Sequence, residues 1–288
     1  MSKFSETRLL KQVLLRAPSC VASSQSDVTR QWRELGYSSA PDLEAATIEH
    51  DALVSAIATT GAEIIMAEEN FDLSLDAIYV RDTALPVPTG IILARMGKDA
   101  RSPEPESLVA LFEKLSISLA GTIQAPGTLE GGDCLWIDPQ TLLIGRTWRT
   151  NQSGIDQVRA IVGPDINVCA FDMPNHKGPD DVFHLMSVLS PISETLVVGY
   201  PPLMPVALVE FLQSRGMEIL PVPATEFETM GCNILALGNN RVVMLQGNPL
   251  TAQLLLTRGI DINEIAGDHI SHPGEGGPTC LTLPLLRG

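Results

Sequence analysis

Five polar residues of the kinds that carry out chemistry recur along the chain at nearly equal intervals. They are separated by 51, 51, 48 and 48 positions, and they are Asp82, Asp133, His184, Cys232 and Cys280. A steady period of this kind places equivalent positions of successive repeats around one axis. Carboxylates, an imidazole and a thiol that meet there could hold a cation, attack it with sulfur and transfer its protons.

Cys280 and His184 are the candidates for nucleophile and proton carrier. Cys280 follows residues 276–279 (Gly-Gly-Pro-Thr), a flexible backbone that can fold over a ligand, and it precedes a strand-like run. A lone cysteine is more often an inert core residue, and a histidine beside an apolar run is more often a hydrogen-bonded one. The shared register favours a catalytic pair. Cys232 has the same register but follows Met230-Gly231, and we interpret it as structural.

Two carboxylates flank two glycines in the run Leu129-Glu130-Gly131-Gly132-Asp133, directly before a strand-like segment. Glycines there let a ligand approach the backbone closely, and the acids would hold a cation. A tight turn with solvated acids explains the run equally well. Asp82 ends an apolar run, where a buried acid is costly unless it is paired or binds a ligand. Arg81 beside it is one such partner, so both interpretations of Asp82 stay open.

The elements that would position these residues repeat as well. Each unit has a β-run, a turn, a second β-run, and a loop into a helix-like stretch, and four copies begin at residues 76, 131, 183 and 231. A fifth unit is split, with its first strand in residues 280–287 and its partner in residues 11–19. Asp138-Pro139 and Asn239-Asn240 supply turns between paired runs. We therefore predict one α/β domain over residues 1–288, a propeller-like ring of small sheets whose strand starts converge on a central channel.

The composition limits the classes of partner. The chain of 288 residues has a formal net charge of −15, which argues against nucleic-acid binding and favours a cationic ligand, although solubility alone would account for the charge. Five cysteines without a Cys-x-x-Cys pair argue against zinc and against a disulfide framework, and they favour a reducing cytoplasm. No apolar stretch is long enough to span a bilayer, and charges interrupt the N-terminal segment where a signal peptide would need an apolar core.

In three places the residues resemble the superfamily of guanidine-modifying enzymes, the amidinotransferases and deiminases. These places are the Leu129–Asp133 run, His184 followed by a strand, and residues 276–285 around Cys280. The resemblance covers nearly the whole chain. It is closest to the dimethylarginine dimethylaminohydrolases, which match in length and in an Arg-Thr-Asn-Gln segment, here residues 149–152. It implies a five-bladed α/β propeller (the pentein fold) of ββαβ repeats, with no cofactor and no metal.

The resemblance also implies roles for single residues. Cys280 would be the nucleophile, His184 the general acid and then the general base, and Glu130 would hold the guanidinium beside them. Six further residues would contact the substrate: Asp76, Arg81, Asp82, Arg95, Asp133 and Arg149. Among these, Asp82 matches a second guanidinium ligand, and Asp76 matches the residue that holds the α-amino group. Arg149 and Arg95 match residues that hold the α-carboxylate, a fork-to-fork contact.

The implied activity is hydrolysis of a guanidino C–N bond through a covalent cysteine intermediate. It would convert dimethylarginine or monomethylarginine, a small cationic substrate, to citrulline and an alkylamine. Arg81 departs from the dimethylarginine hydrolases, which carry an acid there, and resembles the arginine deiminases, whose additional helical insertion has little room in this chain. Arginine deimination, amidino transfer and a non-catalytic binding module are the alternatives. The apolar surface of a ring of helices would also support a homodimer.

Overall fold

The computed structural model describes residues 4–179 and 181–288, which form five small sheets of three strands each. The strands, in chain order, are β1 Leu10–Leu15, β2 Glu63–Met66, β3 Ala84–Val87, β4 Gly90–Leu93, β5 Leu119–Thr122, β6 Cys134–Asp138, β7 Thr141–Arg146, β8 Asn167–Asp172, β9 Leu189–Pro191, β10 Leu196–Gly199, β11 Glu218–Pro221, β12 Leu235–Gly238, β13 Arg241–Leu245, β14 Asp261–Ile265 and β15 Leu283–Arg287.

All five sheets share one connectivity. The first two strands form an antiparallel pair, and the second and third run parallel, as in β3-β4-β5 and β6-β7-β8. The sheets β9-β10-β11, β12-β13-β14 and β15-β1-β2 repeat this order. Parallel neighbours need a crossover connection, and here each crossover contains a helix. The ββαβ unit that the sequence predicts is therefore present in every sheet.

Six of the seven helices in the described residues lie in the crossovers between second and third strands, and the short helix Ala224–Phe227 lies between β11 and β12. In chain order they are α1 Gln25–Gln31, α2 Leu43–Ala58, α3 Val109–Lys114, α4 Gln152–Val162, α5 Val206–Ser214, α6 Ala224–Phe227 and α7 Pro249–Leu256. Side-chain caps start two of the crossover helices. The Asp42 carboxylate accepts a hydrogen bond from the backbone N–H of Ala45 before α2, at 2.8 Å. The Asn151 side chain does the same for Gly154 before α4, at 2.9 Å.

The ring closes through the two ends of the described chain. Strand β15 pairs antiparallel with β1, and Leu10 lies opposite Arg287. This pairing confirms the split unit that the sequence predicts. Together with the five equivalent sheets, it confirms the five-bladed α/β propeller fold.

The hairpin turns follow from local residue types. Asn239 and Asn240 join β12 to β13 with φ values of 54° and 57°, the left-handed conformation that a two-residue type I′ turn needs and that asparagine tolerates. The Asp138-Pro139 turn lies where β6 ends, and two residues, Pro139 and Gln140, separate β6 from β7. Both turns confirm positions predicted from the sequence.

Burial shows which strands lie nearest the axis. The first strands β3, β6, β9 and β12 are buried almost throughout, whereas the third strands β5, β8 and β14 consist mostly of exposed and half-buried residues. First strands of neighbouring sheets also contact one another, as β9 does with β12 and β15 with β3. No helix within residues 4–179 and 181–288 has the length and apolar character needed to cross a bilayer.

Short 3-10 turns precede three of the first strands and bring their polar residues together. These turns are Val80–Thr83 before β3, Gly131–Asp133 before β6 and Leu185–Ser187 before β9. The second turn contacts both of the others. The regular spacing of Asp82, Asp133 and His184 in sequence therefore corresponds to a real meeting point in space.

Candidate active site

Two carboxylates and an imidazole lie together where these turns meet. Asp82, Glu130 and His184 are buried, and their nearest oxygen or nitrogen atoms all lie within 4.8 Å of one another. His184 Nε2 lies 2.8 Å from Glu130 Oε2, and the Glu130 side chain is fully shielded from solvent. A carboxylate pair beside an imidazole suits a flat cation that donates several hydrogen bonds.

The environment of His184 keeps its ring protonated. Burial opposes the imidazolium, but the charges of Asp82 and Asp133 and the bond to Glu130 outweigh it and raise the pKa of His184 to about 9. Burial likewise opposes the Glu130 carboxylate, yet the His184 bond and charge, with Arg101 and Arg149, lower the pKa of Glu130 to about 2. The two residues form an ion pair at neutral pH.

Asp82 is held from two sides. Its Oδ1 accepts a hydrogen bond from the backbone N–H of Gly132 at 2.9 Å, and its Oδ2 accepts one from Arg101 Nη1 at 2.6 Å. A side chain at position 132 would not fit, because a Cβ there would lie 2.7 Å from Asp82 Oδ1 and 3.0 Å from the His184 ring. The glycine therefore sets the spacing between the acid and the imidazole.

Cys280 is half-buried and lies in the turn of residues 278–281, just before the closing strand β15. Its Sγ lies 3.4 Å from Asn233 Nδ2 and 3.8 Å from Thr279 Oγ1. Burial, and then the negative charge of Asp82, raises the pKa of the Cys280 thiol, while the bonds from Asn233 and Thr279 lower it in part. A neutral thiol is therefore the resting form, and a cation bound beside Asp82 would favour the thiolate.

Asn233 holds the loop that carries the nucleophile. Its Oδ1 accepts hydrogen bonds from the backbone N–H and the hydroxyl of Thr279, both at 2.9 Å. Gly277 packs against this amide so closely that a Cβ would lie 2.6 Å from it. Asn233 was not selected from the sequence. It follows Cys232, and its position in the repeat register was the signal that could have drawn attention to it.

Asp76 and Arg149, predicted to contact the substrate, border the cluster. Asp76 Oδ2 lies 2.7 Å from Lys98 Nζ. Arg149 Nη1 lies 3.7 Å from Glu130 Oε1, and its side chain is 7% exposed. The Glu130 Oε1 atom also accepts a hydrogen bond from the backbone N–H of Gly97 at 2.9 Å. The loop between β4 and α3 is therefore part of the site, which the sequence did not predict.

Arg101 was also missed, and it is the most heavily bonded cation here. Besides Asp82, it bonds the Glu104 carboxylate at 2.8 Å and the Tyr79 carbonyl oxygen at 2.9 Å. Its side chain is 5% exposed. Asp82 therefore forms an ion pair with an arginine, as one of the two interpretations of the sequence proposed, but the arginine is Arg101 and not Arg81.

The structure corrects the placement of Arg81. Its Nε donates to the Thr279 carbonyl oxygen at 3.0 Å, and its Nη1 donates to Glu6 Oε1 at 3.4 Å. Successive residues of a 3-10 turn point about 120° apart, so Arg81 is directed away when Asp82 enters the site. Arg81 links the N-terminal segment to the nucleophile loop and is not placed to contact a substrate.

Asp133 needs a similar correction. Asp133 Oδ1 accepts from the backbone N–H of Leu185 at 3.0 Å and its Oδ2 from the Thr147 hydroxyl at 2.7 Å, so it braces the turn after His184. Burial raises the pKa of Asp133 to about 6. Arg95 is exposed, its Nη1 donates to the Gly127 carbonyl oxygen at 3.1 Å, and its own carbonyl oxygen accepts from the backbone N–H of Leu129, the residue before Glu130. The contact of Arg95 with the substrate stays a prediction.

Asp82, Glu130 and His184 also have the spacing of a three-ligand metal site. The donor atoms of these residues already make contacts, because His184 forms an ion pair with Glu130 and Arg101 forms one with Asp82. A metal ion would have to break two buried ion pairs, whereas a planar organic cation can bond the remaining lone pairs. The arrangement can bind a guanidinium, supply a proton from His184 and present a thiol.

Comparison with known proteins gives an independent result. The family model described as N,N dimethylarginine dimethylhydrolase, eukaryotic, matches residues 21–287. The N(G),N(G)-dimethylarginine dimethylaminohydrolase of Streptomyces coelicolor is 30% identical over 280 residues, covering 96% of this chain and 97% of that protein. The arginine deiminase of Listeria welshimeri is 23% identical and covers 77% of this chain and 65% of the deiminase.

Solved structures confirm the fold. A mutant of the dimethylarginine dimethylaminohydrolase (DDAH) from Pseudomonas aeruginosa, complexed with citrulline, superposes on this chain with a TM-score of 0.78 at 23% identity. The superposition covers 96% of this chain and 99% of that one. The N-terminal domain of ArgZ, a cyanobacterial arginine dihydrolase bound to substrate, gives a TM-score of 0.82 at 18% identity, covering 96% and 98%. At these identities the likeness concerns the fold.

Proposed function

The chain belongs to the N,N-dimethylarginine dimethylhydrolase family, whose members are hydrolases of guanidino C–N bonds, and we propose that it converts dimethylarginine or monomethylarginine to citrulline and an alkylamine. Cys280 is the nucleophile and His184 the proton carrier. The observation that carries the proposal is the buried Glu130–His184 ion pair with Asp82 beside it. The charge of Asp82 also acts on the Cys280 thiol and raises its pKa. This combination suits a cationic substrate that must lose a neutral amine.

In the first half of the reaction, the Cys280 thiol gives up its proton to solvent when the cationic substrate binds, and the thiolate then attacks the central guanidinium carbon and forms a C–S bond. Asp82 and Glu130 hold the guanidinium nitrogens, and the positive charge of the substrate stabilises the thiolate. His184, an imidazolium because its pKa is raised to about 9, donates a proton to the departing nitrogen. The C–N bond breaks, and the amine leaves neutral.

In the second half, the neutral imidazole of His184 takes a proton from water, and the resulting hydroxide attacks the carbon of the covalent intermediate. The C–S bond then breaks and returns the electron pair to sulfur, which takes up the proton of the newly formed hydroxyl group and becomes the neutral thiol again. The product is citrulline, and His184 is protonated again. One water is consumed and one amine is released, and the proton that the thiol lost at the start is available to that amine in solvent.

The amino-acid end of the substrate would lie toward Asp76 and Arg149. Arg149 is nearly buried beside Glu130, and it presents a planar guanidinium suited to a carboxylate. Asp76 would accept the α-ammonium. We also propose a reducing cytoplasm as the compartment, because the mechanism needs Cys280 as a free thiol.

The test offers asymmetric dimethylarginine, monomethylarginine and arginine separately to the purified protein and measures citrulline and released amine. We expect citrulline and dimethylamine or methylamine in equal amounts, without any added cofactor and unaffected by a chelator. Cys280→Ser should abolish turnover, while Cys169→Ser, which alters a half-buried thiol on β8, should keep it.

Other outcomes separate the alternatives. Ammonia from arginine, with no reaction of the methylated substrates, would instead indicate a deiminase. Turnover that depends on an added acceptor amine would indicate amidino transfer. Full activity of the Cys280→Ser protein would contradict the proposed nucleophile.

A further inference from the structure

Two cationic side chains of one loop form ion pairs with carboxylates that the proposed substrate would also bind. Lys98 Nζ lies 2.7 Å from Asp76 Oδ2, and Arg101 Nη1 lies 2.6 Å from Asp82 Oδ2. Both residues belong to the connection between β4 and α3. The loop thus presents an ammonium where an α-ammonium is expected and a guanidinium where a guanidinium is expected.

The two contacts differ in how firmly they are fixed. Arg101 is 5% exposed and is bonded to Asp82, Glu104 and the Tyr79 carbonyl oxygen together. Lys98 is 22% exposed and makes one further bond, to the Leu35 carbonyl oxygen at 2.7 Å. Ordering a long side chain costs conformational entropy. The two bonds of Lys98 offset that cost less well than the five bonds that Arg101 makes to its three partners. Lys98 is the contact that a ligand can displace.

The surroundings of Lys98 allow it to leave. The preceding residue, Gly97, lines an open cavity of about 700 Å³ that also includes Trp148 and Phe183. The Lys98 side chain is itself 22% exposed, so its ammonium can turn toward solvent without unfolding of the loop. The loop itself would stay anchored, because the backbone N–H groups of Gly97 and Lys98 bond Glu130 Oε1 at 2.9 and 3.3 Å.

We propose that Lys98 is a specificity-determining residue that competes with the α-ammonium of the substrate for Asp76. This inference rests on the assignment of Asp76 in the proposed function. Two ammonium groups cannot share one nearly buried carboxylate without strong mutual repulsion. A guanidino amino acid must therefore displace Lys98, whereas a guanidino acid that lacks the α-amino group binds with Lys98 in place.

The test measures dissociation constants by calorimetry in a Cys280→Ser background, so that binding is read without turnover. The ligands are monomethylarginine and the matching acid without the α-amino group, 5-(N-methylguanidino)pentanoate. Lys98→Met should bind monomethylarginine about tenfold more tightly, while affinity for the acid changes by less than about twofold. Lys98→Arg, which keeps the charge, should resemble the parent.

Asp76→Asn provides the coupled control. In that background Lys98→Met should no longer favour monomethylarginine, because the contested carboxylate is gone. Equal changes for both ligands, weaker binding of monomethylarginine by Lys98→Met, or no binding of either ligand would overturn the inference. A failure of the proposed function would be seen separately, as absence of citrulline from the unaltered protein.

Discussion

His184 Nε2 lies 2.8 Å from Glu130 Oε2 inside the ring, and the charges of Asp82 and Asp133 together with this buried contact keep the imidazole protonated. The pKa of His184 is raised to about 9 from 6.5, and the pKa of Glu130 is lowered to about 2 from 4.5. Protonated His184 therefore stabilises the fold fully below pH 6.5, and this contribution is lost as pH rises through about 9. Ionised Glu130 stabilises it above pH 4.5, and that contribution is lost as pH falls through about 2.

The first prediction concerns this pair. Glu130→Gln should lower the pKa of His184, because a neutral amide no longer stabilises the imidazolium while burial still opposes it. Titration of the His184 ring by NMR between pH 5 and 10 measures the change directly and does not depend on activity. An unchanged titration would show that Asp82 and Asp133 hold the proton without Glu130.

The second prediction concerns the reactivity of Cys280. Its thiol pKa is raised by burial and by Asp82, so neutral chloroacetamide should alkylate it slowly at pH 7.5. Cationic 2-chloroacetamidine should react at least about tenfold faster, since its charge is attracted to Asp82 and stabilises the thiolate. Asp82→Asn should remove most of that preference. Similar rates for the two reagents would argue against a cation site next to the thiol.

The third prediction concerns spacing. Gly132→Ala would place a Cβ 2.7 Å from Asp82 Oδ1 and 3.0 Å from the His184 ring, and both side chains would have to move. We expect kcat to fall on the order of 100-fold, the usual effect of a misplacement of about 1 Å. Thermal unfolding should be measured alongside. A variant that folds and keeps normal kcat would show that the spacing tolerates change.

The fourth prediction concerns the N-terminal segment. Glu6 lies between Arg81 and Arg287, at 3.4 and 3.8 Å, and both arginines are nearly buried. Glu6→Gln should lower the free energy of unfolding by about 2 kcal/mol, because two buried cations lose their acid. Glu68→Gln is the matched control, since its ion pair with Lys114 is exposed and should be worth less than ~1 kcal/mol. Equal effects in urea unfolding would contradict a role for Glu6.

The sequence could predict the architecture because the repeat has a strong periodic signal. The intervals between Asp82, Asp133, His184 and Cys280 reflect equal places in equal units, and the structure keeps that register. The split fifth unit could be predicted for the same reason, as its two halves together complete one pattern. Turn chemistry added local detail, as at Asn239-Asn240.

The remaining site residues depend on features without a period. Lys98 and Arg101 reach the cluster from a connection whose path follows from tertiary contacts, so their distance in sequence from Asp76 and Asp82 carried no signal. Arg81 was misplaced because adjacency in sequence suggested adjacency to the ligand. In a 3-10 turn the neighbouring side chain faces elsewhere.

The pairing of β15 with β1 has a consequence for how the protein is made. Four blades are built from contiguous segments and can form while synthesis continues, but the fifth needs residues 10–15 to meet residues 283–287. Such a distant contact costs loop-closure entropy and forms late. Cys280 lies three residues before that strand, so a nascent chain in which residues 280–287 have not yet been made carries no assembled catalytic centre. Activity should appear together with ring closure, as one cooperative step at the end of folding.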